Sequence, residues 1–150
     1  MIMQDNDIIV ETRLHGAFFN VDLDRQLVHG LAQGMCQVIN QYGSDAGKTR
    51  IFLVDDGQIA ILNKRFLNCN GPTNVLSFPA KGGDEAVLFI SMDSLRRESL
   101  LYGQNAREYF IRLLAHGLCH LAGLDHGPEM DDLQARLEAC AFTCLAHMQP

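Results

Sequence analysis

An α+β fold, a small mixed β-sheet of about four strands packed with about five helices, is what the sequence predicts. Two observations point there. Short strand-like runs and helical periodicities follow one another without the strict alternation that a doubly wound parallel sheet requires. One helical stretch, 105–122, is apolar on nearly every side, and such a helix sits centrally rather than on a surface. With 150 residues the chain has the size of one compact domain, so 1–150 is read as a single unit.

The elements follow in order. IIVETRL (8–14) reads as a first strand. From Asp22 or Asp24 as a cap, Leu27, Leu31, Met35 and Val38 recur at helical spacing, and the helix ends near Gly43. RIFLV (50–54) is a short strand. Asp55 or Asp56 can accept the free N–H groups of the next helix, whose buried face is Ile59, Leu62 and Phe66. NCNGP (68–72) is turn chemistry, and TNVLSF (73–78) is a strand closed by Pro79. KGGDE (81–85) leads into the strand AVLFIS (86–91). A helix follows to about Tyr102, where Gly103 stops it. Asn105 with Glu108 resembles a capping box for the apolar helix, which runs to about Ala122. Gly127-Pro128 restarts a helix with Met130, Leu133, Leu137, Cys140, Cys144 and Leu145 on its apolar stripe.

Composition removes whole classes of function. A chain that is 47% hydrophobic and 20% charged is neither disordered nor fibrous. The first ten residues have no basic residue and no long apolar run, unlike a targeting peptide, and no stretch approaches the length of a membrane span. Five cysteines without any C-x-x-C argue against a disulfide framework and suit a reducing cytoplasm. A net charge of −6 gives no global attraction to nucleic acid, so a polyanion must be held by a local basic patch or by a metal. Lys64 and Arg65, Arg96 and Arg97, and Lys48 and Arg50 are the small basic clusters available. No aromatic platform for base stacking stands out.

HGLCHLAGLDH (116–126) carries the chemistry. Its spacing, H-x-x-x-H-x-x-G-x-x-H, is the ligand frame of a metzincin protease, with Gly117 where such a protease has its catalytic glutamate. His116 and His120 lie on one face of the helix, and burying two polar rings side by side is costly unless both find partners. Gly123 can adopt a left-handed conformation and swing His126 back to complete a triangle of three nitrogens. Three imidazoles with an open fourth position suit a catalytic Zn²⁺, one per chain. Cys119 is about 100° around the helix from His120 and points elsewhere. His15, His29 and His147 lie outside any ligand spacing. Asp125 can orient a ligand histidine or cap the following helix. Peptide hydrolysis needs an acid to protonate the leaving amine, so Gly117 speaks against a protease. Phosphodiester cleavage asks less, because zinc activates its own water and the RNA 2′-hydroxyl is an internal nucleophile. The missing side chain at Gly117 is also expected to leave room for substrate beside the metal.

PTNVLSFP (72–79), followed some forty residues on by HGLCHLAGLDH, resembles the YbeY family of bacterial rRNA-maturation endoribonucleases. The likeness runs from about Arg50 through the last helix and includes DDGQIAILNKRF before the strand and the Y-G-Q turn before the ligand helix. It implies a metal-dependent single-strand endoribonuclease acting in 16S rRNA maturation and ribosome quality control, with single-stranded RNA and the small ribosomal subunit as partners. It places zinc on His116, His120 and His126, with His116 at the catalytic centre. Arg65, Ser77 and Asp125 are candidates for RNA contact or for support of the ligands. Three positions differ from the family pattern. Leu67 stands where an arginine usually follows the aromatic residue, Ala86-Val87 replaces Gly-Asp, and Leu124 replaces a tyrosine or similar residue. An assembly factor with little catalysis, or another zinc hydrolase such as a peptidase or amidase, is the alternative.

Overall fold

A computed structural model describes residues 8–14, 23–81 and 84–148. Among them the chain forms β1 (Ile8–Thr12), α1 (Arg25–Gln41), β2 (Thr49–Val54), α2 (Asp56–Leu67), β3 (Val75–Phe78), β4 (Ala86–Ser91), α3 (Met92–Leu101), α4 (Ala106–Leu121) and α5 (Pro128–Met148). The four strands make one sheet in the order β1-β2-β4-β3, parallel except for the antiparallel pairing of β3 with β4. The α+β class with a small mixed sheet holds. β3 is an edge strand, and it matters most for the site.

Side-chain alternation sorts the sheet into two faces. Ile51 and Leu53 on β2, with Ala86, Leu88 and Ile90 on β4, belong to the main core, shared with α1, α4 and α5. Phe52, Val54 and Leu76 belong to a smaller cluster with Ile59 of α2 on the opposite face. α4 is central, as its apolar circumference predicts. Ten of its sixteen residues are buried, and its ring of apolar contacts leaves no solvent face in its second half except around the histidines.

The caps show why the helices begin where they do. Asp24 accepts from Leu27 N at 2.7 Å, while the alternative Asp22 lies outside the described residues. Asp55 and Gln58 form a reciprocal capping box at the start of α2, which resolves the choice between Asp55 and Asp56. Asn105 Oδ1 accepts from Arg107 N and Glu108 N at the start of α4. Two strands are shorter than the sequence suggests. The first ends at Thr12, and β3 begins at Val75, because Asn74 turns its side chain to Glu98 of α3.

One predicted core residue moves to the surface. Phe66 was placed on the buried face of α2, yet it is 56% exposed. Among the described residues β3 is the edge of the sheet, and Phe66 meets it edge-on at Phe78. Asn63 is buried there instead, its Nδ2 donating to Gly71 O at 3.0 Å and holding the turn that follows.

Candidate metal centre

His116 and His120 occupy the last two turns of α4, and the helix end brings in the third histidine. Leu124 N donates to Cys119 O and Gly123 N to His120 O, the paired bonds of a Schellman closure with Gly123 at φ 91°. A left-handed residue at that point costs a glycine little. The chain therefore reverses, and His126 faces the helix pair. The three ring centroids stand 4.7, 5.2 and 4.9 Å apart, and one ligand atom from each histidine lies within 4.8 Å of the other two. No other such group of histidine, cysteine or carboxylate side chains occurs among the described residues.

The outer nitrogens explain the ring orientations. His116 Nδ1 donates to Gln134 Oε1 of α5 at 3.0 Å, and His120 Nδ1 donates to the Leu124 carbonyl at 3.0 Å. Those bonds place the proton on Nδ1 and turn each Nε2 lone pair inward. The two Nε2 atoms are 3.2 Å apart. Two nitrogens bound to zinc at about 2.0–2.1 Å in tetrahedral array stand roughly 3.3 Å from each other. The His116–His120 pair therefore has the spacing that an ion of the zinc type requires, and His126 offers a third imidazole nitrogen nearby. Burial holds the His120 imidazole below its usual pKa; the His116 and His126 rings push the same way, while the Leu124 carbonyl and Asp125 oppose them. A neutral ring is the form that binds metal.

Sequence reasoning missed Gln134 and the Leu124 carbonyl. Gln134 lies eighteen residues beyond His116, on another helix, and no spacing rule joins them. The Leu124 bond uses the backbone, so the leucine that departs from the family pattern still supports His120 through its carbonyl. Asp125 is exposed and lines the cleft; the ring nitrogens of His116 and His120 are held by Gln134 and Leu124 rather than by its carboxylate. Cys119 is buried away from the rings, and burial pushes its thiol up to about 12. His29 lies on α1 and His147 in the last turn of α5, while His15 lies outside the described residues.

Gly117 does not open space for substrate, contrary to the sequence expectation. A Cβ there would stand 2.5 Å from Leu88 Cδ1 and 3.3 Å from Val75 Cγ2. Leu88 is wholly buried, so it has little freedom to retreat. The glycine lets α4 lie close on β3 and β4. Ser77 adds to this contact by donating from Oγ to Gly117 O at 3.3 Å.

A cleft of about 540 Å³ opens over the histidines, lined by the whole of β3 with Pro79, by Leu67 of α2, and by Gly123, Leu124 and Asp125. Ser77 lines it; Asn74 does not, being tied to Glu98, and the Thr73 carbonyl accepts from Ser94 Oγ. Leu67, where the family arginine is absent, faces the cleft. Arg65 lies in a separate, shallower depression with Lys64, so it does not stand in for that arginine at the histidines. Ala86 and Val87 are sheet residues outside the cleft lining, one in each core cluster.

The basic clusters differ in availability. Arg50 is clamped between Glu11 and Glu85, and Arg97 pairs with Asp56 at 2.8 Å. Lys64 and Arg65 form no ion pair with a described residue. Beside them the structure assembles what the linear sequence does not display. Phe66 meets Phe78 edge-on, Phe78 meets Phe89 edge-on, and Phe89 stacks on Phe52, with centroids 5.3, 5.9 and 5.0 Å apart.

Comparison with known proteins covers nearly the whole chain. The family described as Endoribonuclease YbeY matches residues 19–147. A protein named Endoribonuclease YbeY from Oleidesulfovibrio alaskensis is 38% identical over an alignment covering 89% of this chain and 92% of its own. Another of that name, from Nitratidesulfovibrio vulgaris, is 42% identical over 67% of this chain and 75% of its own. The solution structure of a Thermotoga maritima protein shares the fold, with a TM-score of 0.65 over 93% of this chain and 92% of that one at 19% identity. The match spans the strand before the cleft, the three histidines and the helix that supports them, and by it the chain belongs to the YbeY endoribonuclease family.

Proposed function

We propose that this protein is a zinc-dependent endoribonuclease of single-stranded RNA, acting in 16S rRNA maturation and ribosome quality control. Residues 1–150 then form one catalytic domain, working in the cytoplasm with the small ribosomal subunit as its partner. The convergence of His116, His120 and His126, the first two with their Nε2 lone pairs inward, carries this reading. His116, His120 and His126 would hold the ion, and zinc there would supply Lewis acidity for a phosphoryl oxygen and would lower the pKa of water so that hydroxide is available near neutral pH. The chain does the rest. Gln134 and the Leu124 carbonyl hold two rings in place, so the ligands are set before substrate arrives. Asp125 lines the approach, where a carboxylate can accept a proton, and Ser77 lines it with its hydroxyl tied to the Gly117 carbonyl. Five free cysteines suit a reducing compartment.

One observation favours a second reading, a peptidase. Among the described residues β3 is the edge of the sheet, and it lines the cleft; a peptide can add to such an edge as a further strand. Gly117 stands against it, since the sheet fills the space that a protease glutamate would need. Assaying zinc-loaded protein on single-stranded RNA and on casein, beside His116→Ala, decides the matter. Cleavage of RNA that His116→Ala loses is the expected result. Metal-dependent casein hydrolysis with intact RNA overturns the assignment, and silence on both with retained subunit binding turns it to an assembly factor.

A further inference from the structure

The end of α2 divides between two depressions. Leu67 lines the histidine cleft with Phe78, and Arg65 lines the neighbouring hollow with Lys64 and Ile61. Phe66 stands between them in sequence. Two contacts fix its ring: Phe78 edge-on, with 63° between planes, and the Arg65 guanidinium 5.4 Å from its centroid. More than half of it remains open. A ring with more than half of its surface open, joined edge-on to a residue that lines the histidine cleft, is accessible to a ligand entering that cleft.

We propose that Phe66 and Phe78 form a nucleobase subsite of the histidine cleft. There a base of single-stranded RNA stacks next to the phosphate at the three histidines, while Arg65 and Lys64 meet the adjoining phosphate. This rests on the endoribonuclease reading and extends it to how the strand is held. The observations favour RNA over an apolar protein surface. The exposed Ile61 of α2 shares its hollow with Lys64 and Arg65, so charge is interleaved with the apolar surface there. A ring beside a free cation is instead the pairing with which single strands are bound, stacking for the base and charge for the backbone. The charge is also where it is needed. Arg50 and Arg97 are committed to carboxylates, whereas Lys64 and Arg65 are not paired with any described one.

The chain contains no tryptophan, so Phe66→Trp installs a single reporter in the full-length, zinc-loaded protein. Its emission should be quenched saturably by a short single-stranded RNA and left unchanged by the same sugar-phosphate strand without bases. Phe66→Ala and Phe66→Leu should each weaken RNA binding roughly tenfold, with zinc content and thermal midpoint unchanged, and Phe66→Tyr should restore it. The base-free strand should bind parent and Phe66→Ala alike. Parental RNA affinity in Phe66→Ala, or an equal loss on the base-free strand, overturns the subsite and leaves the nuclease reading standing. A parent protein that neither binds nor cleaves RNA overturns both.

Discussion

On one face of the sheet, Ile51, Leu88 and Ile90 meet α1, α4 and α5 in a core where Val28, Met35, Phe110 and Leu114 have no exposed surface. On the other, Phe52, Val54 and Leu76 meet α2, and the outermost ring of the ladder, Phe66, lies mostly open. The first face is deep and carries the helix of His116 and His120; the second is thin and borders the histidine cleft. The difference has a physical reason. Metal ligands must be set to within a fraction of an ångström, which requires rigid packing and outer hydrogen bonds. A polymer must enter and leave, which requires open surface. The histidine cleft lies where the two meet, along β3, the edge strand among the described residues.

Removing a ligand from the deep face should have the largest effect. His120→Ala is expected to lose its metal by elemental analysis and to cut RNA cleavage by roughly a hundredfold or more, since the Lewis acid goes with it. The same variant should melt at lower temperature in the presence of zinc, because an ion bound only by the folded state stabilises that state. Unchanged metal content would break the contrast between the faces.

Filling the closest contact of that face comes next. Gly117→Ala is expected to cost about 1–3 kcal/mol in urea unfolding, from overpacking against Leu88. Gly117→Glu should cost more, because its carboxylate is driven into a buried apolar layer. Neither variant should gain casein hydrolysis. A stable Gly117→Glu protein that cleaves peptides would show that the sheet yields easily and that the glycine has another purpose.

Loosening a ligand without deleting it is milder. Gln134→Leu removes the acceptor for His116 Nδ1 and should lower zinc affinity by about 10–100-fold in a competition titration, while Gln134→Glu, which keeps an acceptor, should not.

The smallest effect belongs to the thin face. Leu67→Arg puts a cation into the cleft lining and should raise single-stranded RNA affinity a few-fold. It should also steepen the log-affinity against log-salt slope by about 0.7 for one added phosphate contact. Zinc content should stay the same, and the neutral Leu67→Gln should give no gain. An equal gain from Leu67→Gln would remove charge as the reason. In the parent, with about three phosphate contacts at most, the slope should lie near −2.

Local chemistry wrote much of this protein legibly. Period-2 and helical periodicity placed every element to within about two residues, because alternation and the 3.6-residue repeat are properties of the chain itself. Asn105 as a cap, Gly123 as the reversal and the three-histidine frame were equally readable, since each depends on neighbours a few residues away, while the choice of Asp24 over Asp22 and of Asp55 over Asp56 was left to the structure. Tertiary structure decided what depends on distant partners. Gln134 reaches His116 because α5 packs on α4, and no local pattern encodes that crossing. Gly117 faces Leu88 rather than open space because β4 lies beneath it. Arg50 and Arg97 lost their availability to carboxylates 35 to 41 positions away in sequence. Phe66 was expected inside from its helical spacing, and it is outside, meeting β3 at the edge of the described sheet. Spacing tells which side chains share a helix face; whether another element covers that face depends on where strands distant in sequence lie in the sheet.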